Sequence, residues 1–586
     1  MYEVLYPSNY FANFFISSIF LSIIVIFSFL LSSKLEKNNI KIFKNYLPIV
    51  IFFLVFLCFT LSFNILLLSE KFKFYRIFVY IVSAIVIFFI LINKNYITIF
   101  FKKIKNIKLK LNEKIILLLL FFFYLISILP ISDADSIALH QYFASYVFLN
   151  GLSDLDISKF FEFSLFTNSE ILLLFSPILK SDNFGAQLNL ITIIIFFILP
   201  IKNKNSFFLF LISCPLIIFF ISTQKLQLFF GILFLILFIL VHKKIIKSKL
   251  EIFVFILLLL FYISGKLSYI FIAGPLFIYF LIIYNKYFKF ILMSSLICFF
   301  LTLFPILLMK YYYFGNPFAP FFDDIFNSSR EIMNAFALSV RSSEGWLLNP
   351  NDFKIYIKPF FPTSIGTLSS SLGILFIFFL LNFSLLKKLK FYPIIIIILI
   401  ISTGQILPRY YFEAFLILAF FYEYKNHILL NFLIYTQLFL VLVFSTGFIL
   451  ISYIDLGVAF NKEKYMKRFS YSFFNSKEYK KLNIHENILA FSQDRSSLFI
   501  KKNIHPTRYI NSMNLINDNK QKIVIDYINR NEISYIITSN IKDLPSCLSV
   551  NKVNDIYQKL SIRNFLVINK KNKYEVYKII NNKCNL

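Results

Sequence analysis

Charged residues and glycine are scarce in this chain, and their scarcity excludes most classes of soluble protein. Only 15% of the 586 residues are charged, whereas ordinary soluble domains carry about 25%. Glycine occurs 12 times, and the polar C-terminal part has no glycine-rich loop of the kind that cradles phosphates. A nucleotide site in that part is therefore not expected.

Metal-binding patterns and an N-terminal export signal are also missing. None of the cysteine and histidine spacings is typical of a zinc site. Residues 1–9 lack the basic segment of a signal peptide, and no small-residue cleavage site follows. Cys547 and Cys584 can form a disulfide if the C-terminal part lies outside the cytoplasm. The other three cysteines fall inside apolar runs and are interpreted as small hydrophobic residues: Cys58, Cys214 and Cys298.

Long apolar runs take the place of the missing charge. The chain is 59% hydrophobic with a mean hydropathy of +0.75, and 81 of its residues are phenylalanine. Crossing a ~30 Å hydrocarbon layer requires runs of about 18 or more apolar residues. We therefore predict a polytopic α-helical membrane protein with about fourteen transmembrane helices. They fall at 10–33, 47–69, 75–93, 115–131, 184–201, 206–222, 227–242, 250–264, 267–285, 290–309, 372–386, 391–407, 411–424 and 428–454.

Basic residues predict the orientation of these spans. Lysines concentrate in alternate short loops, such as 34–44, 94–114 and 243–249, and the loops between them hold few. Because basic loops stay in the cytoplasm, an even number of spans places both termini outside, together with two long loops at 132–183 and 310–371. We expect a multi-pass protein of the cell inner membrane.

The formal net charge of +29 raises the question of nucleic-acid binding. The excess of lysine accompanies an abundance of Asn, Ile and Phe, which is typical of a general compositional bias. Many of the lysines lie in short loops, where they set orientation and contact anionic lipid headgroups. Membrane lipids are therefore expected partners, and nucleic acid is not.

Residues 456–586 differ in character from the rest of the chain. They are polar and rich in Lys and Asn, and short strand patterns alternate with a helix pattern at 519–529. This alternation predicts a small α/β domain, which the orientation places outside the cytoplasm. The predicted strands are Asn487–Ser492, Ser534–Thr538, Phe565–Asn569 and Tyr574–Ile579.

Two carboxylates follow the fourth predicted span, in the stretch Leu129-Pro130-Ile131-Ser132-Asp133-Ala134-Asp135-Ser136. At a low-dielectric boundary, Asp133 or Asp135 can hold a raised pKa and act as a general base. Together they can instead share a divalent cation such as Mg or Mn, the one candidate cofactor. A third interpretation is a solvated loop in which Asp135 caps the helix beginning at Ser136.

Four motifs, in this order, resemble the GT-C superfamily of membrane glycosyltransferases. Asp133-Ala134-Asp135-Ser136 with the nearby His140 resembles the first outer loop of that superfamily, where a catalytic Asp precedes helices that lie along the membrane. Lys266 is similar to a basic residue at an outer span end. Tyr312-Tyr313-Phe314-Gly315-Asn316-Pro317-Phe318-Ala319-Pro320 resembles its "GNP-x-x-P" turn. Pro408-Arg409-Tyr410-Tyr411 is similar to the "R-Y" start of a late span.

The resemblance implies a transmembrane core at 113–455, and it leaves the helices of 1–112 outside that core. It implies a polyprenyl-phosphate-linked sugar as the donor and a glycan or lipid of the cell envelope as the acceptor. Asp133 or Asp135 would be catalytic, and Arg409 and Lys266 would bind the donor phosphate. Snorkelling to lipid headgroups is the alternative role for the two basic residues. Candidate substrate contacts are His140, Asn316, Arg330 and Arg341.

Three other classes of function stay open on the sequence alone. An O-antigen polymerase or ligase of another fold would depend on arginines in the long outer loop, here Arg330 and Arg341, and would not need the Asp133–Asp135 pair. A lipid-linked glycan transporter or flippase would show charges or broken helices near the midplane and a repeat between halves. A non-catalytic assembly protein would need no reactive site.

Overall fold

The computed structural model describes most of the hydrophobic part of the chain and the core of the polar C-terminal part. The described residues are 5, 10–38, 42–93, 111–130, 136–152, 161–201, 204–326, 360, 368, 370–403, 407–424, 428–455, 479, 481–491, 503–506, 510, 520–538, 544–559 and 571–582.

The described residues before 456 are mainly helical, as the apolar runs predict. Their helices are α1 Tyr10–Lys37, α2 Leu47–Leu68, α3 Tyr75–Ile92, α4 Leu111–Ser127, α5 Gln141–Asn150, α6 Asn168–Leu172, α7 Phe175–Leu179, α8 Phe184–Ile198, α9 Lys204–Ser213, α10 Leu216–Ile221, α11 Gln227–His242, α12 Lys249–Gly265, α13 Ile270–Ile283, α14 Phe288–Thr302, α15 Phe304–Phe314, α16 Asp323–Phe326, α17 Leu375–Leu380, α18 Phe383–Lys388, α19 Tyr392–Ser402, α20 Phe412–Phe421 and α21 Ile428–Ile449. A π-helical turn, Ser136–His140, precedes α5.

Several of these helices are long and apolar enough to cross a membrane, which agrees with the predicted helical membrane class. In the described part, four helices meet that requirement, or up to six if each of two bent pairs forms one span. The pairs are Asn168–Leu179 with Phe184–Ile198, bent by 110°, and Leu267–Ile283 with Asn285–Thr302, bent by 92°. The count of about fourteen is not confirmed, because several predicted spans form shorter helices.

Proline is one physical cause of the shortening. The apolar run at 206–222 forms two helices, α9 and α10, which meet at Cys214-Pro215. Proline lacks the N–H that would continue the hydrogen-bond ladder, and its ring clashes with the preceding turn.

Helix α20 is another predicted span that is short in the structure. It has 10 residues and is therefore about 15 Å long, half the hydrocarbon thickness.

The N-terminal helices share one hydrophobic core with the helices that follow. Rings from α1, α2, α7 and α8 touch, as in Phe20–Phe175 at 5.0 Å, Phe59–Phe175 at 4.9 Å and Phe175–Phe184 at 4.9 Å between centroids. A hydrogen bond between two buried side-chain amides also connects these helices. The side-chain nitrogen of Asn64 in α2 donates to Asn168 Oδ1 at 2.9 Å. Residues 10–93 are therefore built into the helical body of the protein.

A five-stranded sheet and one helix lie within the polar C-terminal part. The elements are β1 Asn487–Ala490, β2 Ile504–Pro506, α22 Lys520–Arg530, β3 Ile533–Thr538, β4 Leu548–Lys559 and β5 Lys571–Asn582. The strand order in the sheet is β2-β1-β3-β5-β4. Strand β1 pairs in parallel with β2 and β3, and β5 pairs antiparallel with β3 and β4. The predicted strands near 487, 534 and 574 and the predicted helix correspond to β1, β3, β5 and α22, whereas 565–569 lies outside the described residues.

Alternating side chains give the sheet two apolar faces. Ile488 and Ile537 belong to one buried cluster, and their neighbours Leu489 and Ile536 belong to another. Because successive side chains of a strand point to opposite faces, each cluster covers one side of the sheet. Val524 of α22 lies in the second cluster, so the helix packs on that face.

Candidate functional site

Three cations come together where helices α11, α13 and α20 begin. Helix α11 packs against both α13 and α20. Lys225 lies two residues before α11, and Lys266 and Arg409 precede α13 and α20 through short 3₁₀ turns. All three helices start at the same end of the packed group, so residues far apart in sequence become neighbours. We call Lys225, Lys266, Arg409 and the rings of Phe219 and Tyr410 the Arg409 cluster.

Shared aromatic rings connect the cations of the Arg409 cluster. Lys225 Nζ lies 5.1 Å and Arg409 Cζ 5.8 Å from the centre of the Phe219 ring. Lys266 Nζ and Arg409 Cζ lie 4.0 Å and 5.0 Å from the centre of the Tyr410 ring. Arg409 also donates to the Tyr410 hydroxyl at 3.1 Å. These contacts hold three positive charges close together at the edge of the hydrophobic body.

The lysine at 225 is the member of this cluster to which sequence reasoning assigned no role. It is buried, with 7% of its surface exposed, whereas Lys266 and Arg409 are partly exposed. Its signal in the sequence is the same as that of Lys266, a single lysine between two apolar runs. The pair of Arg409 and Lys266 was predicted, and the structure places both around the Tyr410 ring.

The turn that follows the two predicted catalytic carboxylates is attached beside Lys225. The Ser136 hydroxyl is fully buried and accepts a hydrogen bond from the Gln224 backbone nitrogen at 3.0 Å. Gln224 is itself fixed, since its Oε1 accepts from the Gly185 backbone nitrogen at 2.8 Å and its Nε2 donates to the Asp182 carbonyl. Ser136 is covalently bonded to Asp135. The start of the turn is therefore anchored next to one cation of the Arg409 cluster.

The end of the same turn is attached beside Lys266. His140 Nδ1 lies 2.7 Å from Glu170 Oε1, and Glu170 is buried. The second carboxylate oxygen accepts from the backbone nitrogen and the hydroxyl of Thr167, both at 2.7 Å. The Thr167 hydroxyl also lies 2.7 Å from the carbonyl oxygen of Gly265, the residue before Lys266. Glu170 and Thr167 were not singled out in the sequence, because a lone acid in an apolar segment gives no motif.

Two further polar side chains connect the segments around Ser164 and Asn316. Lys310 is buried and donates to the carbonyls of Ser164 and Ala319 at 2.5 Å and 2.7 Å. Lys310 lies outside the candidate spans. Burial lowers its pKa to about 7, although the negative charge of Glu170 acts in the opposite direction and raises it. Asn316, predicted as a substrate contact, is fully buried, and its amide bonds Phe321 O and Phe318 N at 2.8 Å each. Its side chain stabilises its own turn.

A buried carboxylate lies beneath the Arg409 cluster. Glu413, four residues after Arg409, accepts from the Tyr262 hydroxyl at 2.8 Å and lies within electrostatic range of Lys266. The Tyr262 ring stacks on Tyr269 with 4.4 Å between centroids, and Tyr269 belongs to the turn after Lys266. The contacts of Glu413, Tyr262 and Tyr269 hold the backbone around Lys266 in place, and its charge lies at the end of the helices.

Four predicted site residues lie outside the described residues: Asp133, Asp135, Arg330 and Arg341. The metal site predicted at Asp133 and Asp135 therefore stays a prediction. In the described part of the chain, His, Cys, Asp and Glu side chains do not gather in groups of three that could hold a metal ion.

No family model, curated protein or solved structure matches this chain. The arrangement of its own residues is thus what bears on function. A turn that directly follows two carboxylates is bonded at one end to the neighbour of Lys225 and at the other, through Glu170 and Thr167, to the neighbour of Lys266. Such a set can hold a phosphate with its cations and present an acid or base from the adjoining segment.

Proposed function

We propose that the protein is a membrane glycosyltransferase of the GT-C type. It would move a sugar from a polyprenyl-phosphate donor to a glycan or lipid acceptor of the cell envelope, at the outer face of the inner membrane. The observation that supports this best is the Arg409 cluster, with its hydrogen-bonded connection to the turn after Asp133 and Asp135. Lysines that merely snorkel extend into the headgroups, whereas here the cations converge on two shared rings.

In the proposed reaction, Asp133 or Asp135 removes the proton from an acceptor hydroxyl. The acceptor oxygen then forms a bond to the anomeric carbon of the sugar, and the bond between that carbon and the phosphate oxygen breaks. The bonding electron pair leaves with the phosphate, so the polyprenyl phosphate gains one negative charge. Arg409, Lys225 and Lys266 stabilise that growing charge, which lowers the barrier of the step. Arg409 is suited to it because its planar group can bind two oxygens.

His140 and Glu170 have a positioning role in this proposal. Glu170 holds His140 from one side and Thr167 from the other, so the turn cannot move away from Lys266 without breaking buried hydrogen bonds. A buried carboxylate that loses such partners is costly. The turn Ser136–His140 is therefore held in place beside Lys266.

The proposed topology has about fourteen spans, with both termini and the segment 456–586 outside the cytoplasm. Cys547 is disulfide-bonded, while the described cysteines of the helical part are free. Disulfides persist in oxidising compartments and are rare in the cytoplasm. This bond supports an outer location for the C-terminal sheet, independently of the lysine distribution.

Replacing Asp133 and Asp135 separately by Asn tests the mechanism. Membranes that contain each variant are supplied with lipid-linked sugar, and transfer is measured beside the amount of folded protein. We expect at least one variant to lose transfer by about 100-fold or more, the usual contribution of a general base. If both variants keep full transfer, the mechanism is wrong. If transfer instead depends on Arg330 and Arg341, the polymerase or ligase alternative is favoured.

A further inference from the structure

A second group of cations and rings occupies the opposite end of the same helices. Helix α11 ends at His242, which is followed by Lys243; α19 begins just after Lys390, and α20 ends at Phe421. These helices, with α13, pack against one another. We call His242, Lys243, Lys388, Lys390 and the rings of Tyr279 and Phe421 the His242 cluster. Because α11 has 16 residues, the two clusters lie about 24 Å apart along it.

The contacts of the His242 cluster resemble those of the Arg409 cluster. Lys243 Nζ lies 5.6 Å from the centre of the Phe421 ring, and the His242 ring lies 4.9 Å from the same ring. On the other side His242 faces Tyr279 at 6.4 Å, and Lys390 Nζ lies 4.7 Å from the Tyr279 ring. Lys243, Lys388 and Lys390 all lie within electrostatic range of His242. Two segments that are far apart in the sequence, one after α11 and one before α19, thus bring their lysines close to His242.

Negative charge around this cluster is sparse in the described residues. Glu423 pairs with Lys388 at 2.7 Å, and both side chains are largely exposed. Lys390 has no described carboxylate within ion-pair distance. Lys390 also adopts a left-handed backbone with φ of +53°, where glycine would be favoured.

An apolar surface begins directly beside these cations. Helices α13 and α19 pack together, and the Tyr392 hydroxyl of α19 donates to the Ile272 carbonyl of α13 at 2.8 Å. Both helices have exposed isoleucines, close in sequence to Tyr279 and to Lys390 respectively. Those isoleucines are Ile278, Ile282, Ile395 and Ile398, which are 60%, 68%, 41% and 60% exposed.

We infer that the His242 cluster is a binding site for an anionic phospholipid. The phosphodiester headgroup lies among Lys243, Lys390 and His242, and the acyl chains lie along the isoleucines of α13 and α19. A free phosphate would use the cations alone, whereas a phospholipid also uses the apolar surface that adjoins them. Basic groups between transmembrane helices are known to hold acidic headgroups in this way. The site is independent of the proposed transferase reaction, which uses the opposite end of α11.

Lipid binding to the purified full-length protein in a neutral detergent tests the inference. Native mass spectrometry measures the affinity for phosphatidylglycerol and for phosphatidylcholine with identical acyl chains, with glycerol 3-phosphate as the soluble anion. The double variant Lys243→Gln/Lys390→Gln removes two charges of the site. Lys286→Gln/Lys289→Gln is the matched control, because its lysines lie at the same end of the helices, outside the His242 cluster.

We expect the wild-type protein to prefer phosphatidylglycerol, and the site variant to bind it about 30-fold more weakly, since each lysine near a headgroup contributes a factor of about five. The control variant should bind as the wild type does, and Lys243→Arg/Lys390→Arg should restore the affinity. Equal losses in the site and control variants would overturn the inference, as would equal binding of the two lipids. Displacement of the lipid by glycerol 3-phosphate at similar concentrations would overturn it in favour of a soluble anion.

Discussion

The phosphate-binding role of the Arg409 cluster leads to a quantitative prediction for Arg409→Gln and Lys225→Gln. Lys225 Nζ and Arg409 Cζ lie 5.1 Å and 5.8 Å from one ring centre, so the two charges are at most about 11 Å apart. A phosphate midway between them lies within about 5.5 Å of each charge. At that distance one unit charge contributes about 3 kcal/mol at an effective dielectric constant of about 20, and about 0.8 kcal/mol in water.

The affinity for a polyprenyl phosphate should therefore fall by about 10- to 100-fold in each variant, within the range of about 4- to 150-fold that these energies allow. The assay measures binding of polyprenyl phosphate and of the uncharged polyprenol of equal chain length to detergent-purified protein. Polyprenol should bind equally to all variants, because it lacks the phosphate. Lys289→Gln, a lysine at the other end of the helices, is the control.

Two results would refute the reasoning. One is an unchanged affinity for polyprenyl phosphate in both variants at equal thermal stability. The other is an equal loss for polyprenol, which would show that the substitutions disturb packing and leave the phosphate without a special role. A double variant that loses less than the product of the two single losses would indicate that both cations act on one phosphate.

Three further substitutions test the connections around the site. Glu170→Gln should lower sugar transfer and thermal stability, because one oxygen that accepts buried hydrogen bonds becomes a donor, at a cost of about 1–3 kcal/mol; unchanged transfer would argue against a positioning role. Gly185→Ala should weaken polyprenyl phosphate binding, since its Cβ would lie 2.5 Å from Gln224 Oε1, whereas Gly274→Ala, with open space, should be neutral. Lys310 has a pKa lowered to about 7 by burial and about 10.4 when unfolded, so the unfolded chain binds more protons between these values. Thermal stability should therefore rise from pH 7 to pH 10. The same measurement on Lys310→Met checks this prediction, because the rise should be smaller in that variant.

The sequence predicted the helical membrane class and most strands of the sheet, because apolar runs and alternation directly record burial. It suggested Arg409 and Lys266 through their resemblance to glycosyltransferase motifs, and their role in phosphate binding stays a prediction. Lys225, an equally isolated lysine between two apolar runs, matches no such motif. The division of 206–222 into two helices was not predicted, although Pro215 is visible, because a count of apolar residues ignores the hydrogen bond that proline removes.

Other parts of the site depend on contacts between distant segments and have no local pattern. Lys225 and Arg409 meet at the Phe219 ring, although Arg409 lies more than 180 residues after Lys225 in the chain. Lysines are mostly exposed, and Lys310 was expected at the start of an outer loop, yet it is buried and donates hydrogen bonds to two carbonyls. Only the packing of the helices reveals such pairings.

The length of α11 has a consequence for the lipids around the protein. Its 16 residues separate the two cation clusters by about 24 Å, whereas an average bilayer has a hydrocarbon core of about 30 Å. If the cations at both ends lie at the headgroup levels, we expect the bilayer around this helix group to be thinner than average. The mismatch favours neighbours with shorter acyl chains, and membranes of greater thickness should strain the protein the most.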